Sequence, residues 1–281
     1  MAVLRTGVLI LLFFSLTQVS ASLQVGDFLI YNDDTVEIFT QPLEVLYDTN
    51  TRPDSIFFHN PRCYSTNCWR GYVALWLLKD SQLYLVEVID CCGMNYSASG
   101  YPAGNTKFDL EQIVDRKYFK NGRVEAGWVS FCLYNPIGSP VYIRNQGYYA
   151  FYMEERLFCF ENGKLVNIEY YDNPKTKHNT IYTVNDDSLA NFVYKHVNWD
   201  SISNSQVVVD VIVFSTEDGK AWVGKNKSSN ESSEFRQIST AIAQLPKWDS
   251  YYRLGEHQEK LFWFRKIVFN EELRKKYHRA K

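Results

Sequence analysis

Five histidines, His59, His178, His196, His257 and His278, are the groups of this chain whose ordinary pKa suits proton transfer near neutral pH. None sits in an H-E-x-x-H pair or beside a strand-end Ser or Cys nucleophile. No G-x-S-x-G elbow, P-loop or glycine-rich dinucleotide loop occurs. Asp33 and Asp34 are adjacent carboxylates, but Asn32 precedes them. Asn-Asp-Asp is first a turn, because these side chains bond their own backbone and tolerate left-handed angles. Cys132 with a distant histidine is the one nucleophile pair that can be drawn. The setting of Cys132, SFCLY, and that of Cys159, LFCF, read instead as small buried apolar residues in strands. The sequence therefore predicts no catalytic residue, no cofactor and no enzyme. The rival expectation is a small hydrolase in the N-terminal half. It requires a cleft of titratable groups within hydrogen-bond reach of one another.

The other cysteines are Cys63, Cys68, Cys91 and Cys92. No C-x-x-C pair and no H-x-x-x-H occurs, so no metal site is predicted. Whether the six cysteines oxidise depends on the compartment. The chain begins MAVLRTGVLILLFFSLTQVSASLQ, with Arg5 as a positive start, an apolar run from Gly7 to Val19, and small residues Val19 and Ala21 before a cleavage point. This predicts a signal peptide over residues 1–21, a mature chain from Ser22 without a membrane span, and a periplasmic or secreted location. An oxidising compartment permits disulfides. Cys63 and Cys68 enclose the short polar loop YSTN, which a bridge could close. Cys91 and Cys92 are adjacent, so each is better placed to bond elsewhere than to the other.

These groups must be carried by elements. With 46% hydrophobic and 16% aromatic residues, the 281-residue chain has ample core material, and its many Tyr and Phe favour strands. A net charge of −2 gives no basic excess, so no nucleic-acid partner is expected. The tail LRKKYHRAK reads as a last helical turn with cations where the helix dipole favours them. Over residues 22–175 the pattern is mostly β. DFLIY, the turn NDDT and VEIF open it. WRGYVALWLL, KD and QLYLVEVI form a hairpin, and another turns at Asn162-Gly163. FDLEQIVD is one short helix, and RVEAGWVSFCLY reads as a strand. Residues 176–188 are polar and turn-rich and read as a linker.

The remaining residues, 189–281, change rhythm. DDSLANFVYKHV is a helix with Leu189, Phe192, Val193 and His196 on one face. SQVVVDVIVF is a strand with Val207, Val209, Val211 and Val213 on one side and Val208, Ile212 and Phe214 on the other. Asp218-Gly219 turns it into AWVGKN. EFRQISTAIAQL sets Phe235, Ile238, Ile242 and Leu245 in one helical stripe, and Pro246 ends it. Trp248 is expected to pack back over that helix end. LFWFRKIVF is the final strand.

The ordered set VVVDVIVF, Asp218-Gly219, the Ser-rich loop at Ser228-Ser229, LPKW, Gly255 and a final strand ending IVF resembles the C-terminal domain of the TonB family over about residues 189–269. The N-terminal half, through CWRGYVALW, resembles uncharacterised exported proteins of Bacteroidetes type. The fold class implied is α+β: a mostly β domain followed by a small TonB-like domain of two helices on a three-stranded antiparallel sheet. The resemblance implies an exposed final strand that receives an extended peptide by strand addition. Carried onto this chain, the partner-binding residues are Phe262, Trp263, Phe264, Arg265 and Lys266. Arg265 and Lys266 also suit the defence of an edge against aggregation. The partner implied is an envelope protein or peptide segment in a Gram-negative bacterium. Eight prolines cannot make a stiff periplasm-spanning spacer, so coupling to an inner-membrane motor is not expected. A scaffold that has lost TonB-type activity is the third expectation.

Overall fold

Pairs of left-handed turn residues fold the N-terminal half into hairpins. The computed structural model describes residues 24–47, 67–91, 95–96, 102–103, 106–144, 149–224 and 232–278. Among them the chain is mixed α+β and mostly strand, with five helices. β1 (Asp27–Tyr31) turns through Asn32 and Asp33 into β2 (Asp34–Ile38), and β3 (Tyr72–Lys79) turns through Asp80 and Ser81 into β4 (Gln82–Asp90). All four turn residues have φ between 51° and 63°, the geometry that matches the twist of two-residue hairpins. The second turn falls one residue later than the expected Lys79-Asp80.

β5 (Asn95–Tyr96) pairs with β6 (Pro102–Ala103). α1 (Leu110–Ile113) follows, capped by the Asp109 carboxylate on the Glu111 N–H. β7 (Phe119–Lys120) pairs with β8 (Arg123–Glu125), and β9 (Cys132–Ile137) comes next. The single strand expected over Arg123 to Tyr134 is thus two strands. Between them the chain turns so that the Trp128 indole N–H reaches the Pro42 carbonyl at 2.9 Å. β10 (Tyr142–Ile143) pairs with β11 (Ala150–Phe151), and β12 (Glu154–Glu161) turns at Asn162-Gly163 into β13 (Lys164–Asp172). Gly163 is obligatory there: φ is +76°, and a Cβ would lie 2.6 Å from the Ala126 carbonyl oxygen.

The main sheet runs β2-β1-β3-β4-β13-β12-β9, with β8 branching from β4 and only β1–β3 parallel. Its two end strands meet. The Phe39 N–H bonds the Tyr134 carbonyl at 2.8 Å, and the Asn135 amide bonds the Glu37 carbonyl at 2.7 Å. The sheet therefore curls on itself around Leu29, Ile38, Tyr72, Trp76, Leu83 and Phe158, all fully buried. Strand alternation delivers these side chains inward.

Among the described residues two disulfides tie this half together, Cys68–Cys91 and Cys132–Cys159. The expected Cys63–Cys68 bridge is corrected, because Cys68 bonds Cys91; Cys63 lies outside the described residues. Cys132 and Cys159 are also corrected from buried thiols to a cross-strand pair, since β9 and β12 set them directly opposite. Cys68–Cys91 closes a separation of 23 residues. Chain-entropy reasoning for a loop of that size gives about 3 kcal/mol. The Cys68→Ala/Cys91→Ala variant should lose about that much in urea unfolding under non-reducing conditions, while a surface control such as Lys79→Ala should lose almost nothing.

In the C-terminal half, α2 (Ile181–Val184) and α3 (Asp186–His196) precede β14 (Val207–Ser215) and β15 (Ala221–Gly224). α4 (Ser233–Ile242) starts at the Ser232 hydroxyl, which accepts from the Phe235 N–H. β16 (Tyr252–Arg253), β17 (Glu256–His257), β18 (Phe262–Phe269) and α5 (Glu271–His278) complete the order. The sheet is β15-β14-β18, all antiparallel. Leu189 and Val193 of α3 and Phe235, Ile238 and Ile242 of α4 bury against Val209, Val211 and Val213. Leu245 and Trp248 join the same core, so the helix stop at Pro246 is a packing feature.

Residues 176–188, expected as a linker, are bonded into this half. Lys177 and Ser250 exchange both backbone bonds, and the Asp249 carboxylate accepts from the Thr180 N–H at 2.8 Å. The two halves also share core. Phe151 and Tyr142, from the β10–β11 ladder, each stack on Tyr251 with centroids 4.8 Å apart.

Candidate functional site

β18 pairs with β14 on one side and borders no other strand among the described residues. Its register on β14 is unbroken from Val207–Phe269 to Phe214–Phe262. Strand alternation splits the five residues expected to meet a partner. Phe262, Phe264 and Lys266 point to the outer face, and Phe264 is 68% exposed. Trp263 and Arg265 point to the helix side. Trp263 is 8% exposed and packs edge-on to Trp248 at 5.7 Å and face to face with Tyr251 at 6.3 Å. The Trp263 side chain is therefore core, and it is corrected from a partner contact to an anchor of the strand.

The backbone follows the same alternation. The Phe264 carbonyl accepts from the Arg265 guanidinium at 2.8 Å, and the Val268 carbonyl accepts from the Tyr194 hydroxyl at 2.7 Å. Both carbonyls thus face away from β14. In an antiparallel ladder a residue's N–H and C=O point to the same side. The outward groups of the edge therefore belong to Phe262, Phe264, Lys266 and Val268. The ladder to β14 uses Trp263, Arg265, Ile267 and Phe269.

Two of the outward acceptors are held by side chains at rest. Arg265 is 13% exposed at its side chain, pairs with Asp186 at 3.1 Å and donates to the Thr183 carbonyl at the end of α2. It also lies 5.8 Å from the Trp248 ring centroid. Burial raises the Tyr194 phenol pKa, so its hydroxyl stays a donor. Between these caps stands Lys266, exposed and 4.0 Å from Asp210 across the ladder. An exposed pair at that distance adds little stability, so Lys266 serves the edge chiefly as a charge.

The outer face leads away from the edge as an aromatic row. Phe264 meets Phe262 edge-on at 5.1 Å, Phe262 lies 6.0 Å from Phe214, and Phe214 stacks on Trp222 at 4.5 Å. Chemically, this is a surface that can hydrogen-bond an extended backbone and cover its side chains with apolar contacts. The sequence placed Phe214 on the face of its strand opposite Val209, Val211 and Val213. It did not identify Trp222, Tyr194 or Asp186, because their roles depend on which strand and helix lie beside β18.

The hydrolase expectation loses its one nucleophile pair, since Cys132 is a disulfide partner without a thiol. Comparison with protein-family models, with curated proteins and with solved structures gives no match.

Proposed function

We propose that this is a non-enzymatic interaction protein, exported to the periplasm of a Gram-negative bacterium, whose TonB-like C-terminal half captures an extended segment of an envelope protein by strand addition on β18. One observation carries the reading: β18 is a sheet border with outward-facing backbone groups beside an exposed phenylalanine. The order helix, strand, strand, helix, strand, with two helices packed on a three-stranded sheet, supports the TonB-like assignment. The two disulfides fit an oxidising compartment. Among the described residues no helix is long and apolar enough to cross a membrane. The caps by Arg265 and Tyr194 favour one second reading, a scaffold whose edge stays closed.

Proline discriminates between these readings. At Phe264 and Lys266 it removes outward N–H groups and leaves the ladder to β14 intact. The Phe264→Pro/Lys266→Pro variant should keep the near-UV circular dichroism of the fold. Recovery of outer-membrane transporters from envelope extract should fall by about tenfold or more, as expected for losing two main-chain bonds of about 1 kcal/mol each. Phe264→Ala/Lys266→Ala, which keeps both N–H groups, should lose less. Undiminished recovery by the folded double-proline variant sinks strand addition. No recovery by the wild-type chain supports the scaffold.

A further inference from the structure

A cleft of about 840 Å³ opens beside the inner end of the aromatic row, lined by Phe214, Ser215, Trp222, His257, Glu259 and Phe262, among others. It also includes Glu217 and Lys260. His257 and Glu217 additionally line an adjoining cleft of about 420 Å³. Both volumes fall in the roughly 300–1,000 Å³ range of ligand sites.

The lining has two kinds of surface. Trp222 stacks one face on Phe214 at 15° and remains 45% exposed, which leaves a flat apolar platform. Around it stand hydroxyls at Ser215 and Thr216, carboxylates at Glu217 and Glu259, and the His257 imidazole. The His257 Nε2 lies 3.3 Å from the Ser215 Oγ. Burial lowers the His257 pKa against the pull of Glu217 and Glu259, so the ring is neutral and can both donate and accept. A flat apolar floor with donors and acceptors at its rim complements a sugar ring, which shows C–H groups on its face and hydroxyls on its edge.

Other ligand classes fit less well. An anion would meet two carboxylates. A cation would meet Lys260, and Glu217 is already paired with Lys175 at 3.2 Å. A serine nucleophile also fails the geometry. Ser215 is 1% exposed, and among the described residues no carboxylate bonds His257 to orient it.

We propose that this double cleft binds a neutral oligosaccharide, with Trp222 as the stacking platform and Glu217, His257 and Glu259 as partners for its hydroxyls. The site shares Phe262 with β18 but rests on Trp222 of β15, apart from the Phe264 and Lys266 amides, so it does not depend on strand addition. Calorimetric titration of the mature chain with cellohexaose, maltohexaose and chitohexaose tests it, with tetramethylammonium and inorganic phosphate as charged probes. At least one hexasaccharide should bind, and Trp222→Ala should weaken it by about tenfold or more. Trp222→Phe should recover part of the loss, and Glu259→Gln should weaken binding with the circular dichroism unchanged. Phe264→Pro/Lys266→Pro should bind the sugar as the wild type does. The proposal is overturned if no hexasaccharide binds at millimolar concentration. It is equally overturned if Trp222→Ala binds like the wild type, or if only a charged probe binds.

Discussion

Glu155→Ala should lower the unfolding free energy by about 4 kcal/mol, among the largest effects of any single substitution in this chain. Glu155 is fully buried at the joint between the halves. Its carboxylate accepts from the Tyr134 hydroxyl, from the Asn173 amide at 2.9 Å and from the Leu254 N–H. Leu254 sits at φ +51°, and this bond helps hold its left-handed backbone. Alanine takes this acceptor from the buried Tyr134 hydroxyl, from the half-buried Leu254 N–H and from one N–H of the Asn173 amide, whose other N–H keeps the Tyr152 carbonyl, at about 1–3 kcal/mol for each orphaned donor, with partial relaxation. Burial and the bond to Glu155 push the Tyr134 phenol far above its ordinary range, so that donor is present at any working pH. Glu155→Gln keeps one acceptor oxygen and should cost about half as much. Urea titration followed by tryptophan fluorescence reads both. A loss under about 1 kcal/mol for Glu155→Ala would mean that the joint does not depend on this carboxylate.

Asp27→Ala should cost a similar amount, about 3–5 kcal/mol, by breaking a buried ion pair from one side. Asp27 is fully buried and accepts from Arg70 at 2.7 Å, from the Ala74 N–H at 3.0 Å and from the Trp76 indole at 3.1 Å. It pins the start of β1 to β3, the one parallel pair of the sheet. Asp27→Asn, which removes the charge and keeps an acceptor, should fall between. Burial raises the Asp27 pKa from its ordinary 3.8, against opposition from Arg70 and the two N–H donors. A raised folded-state pKa means that the folded chain holds the proton more tightly. The stability Asp27 contributes is therefore fullest below about pH 3.8 and declines as pH rises through the raised value. The gap between the thermal melts of wild type and Asp27→Ala should narrow as pH rises across that window. A gap that widens with pH would contradict the sign.

Local chemistry made much of this legible in the sequence. Asn32-Asp33 and Asn162-Gly163 announce turns because few other residues tolerate positive φ. The stripe Phe235, Ile238, Ile242 and Leu245 is buried as its spacing requires. What the sequence hid is long-range. Nothing local makes Cys68 choose Cys91 over Cys63, because the choice follows from β3 and β4 bringing both ends of a hairpin together. Residues 176–188 look like a linker by composition, yet the buried Asp249 carboxylate far along the chain holds them. At the site, alternation along LFWFRKIVF separates inner from outer side chains once one face is known. The caps by Tyr194 and Arg265 required the packed neighbours of β18.

Residue-resolved hydrogen exchange along β18 tests the open edge most directly, because it reads each amide without needing a partner's identity. In the free protein the Trp263, Arg265 and Ile267 amides, bonded to β14, should be strongly protected. The Phe264 and Lys266 amides should exchange faster by about a hundredfold or more, since they face away from the ladder. On capture of an envelope segment, those two should become protected while their neighbours change little. Equal protection of Phe264 and Lys266 in the free protein, or no gain on capture, would contradict strand addition on β18.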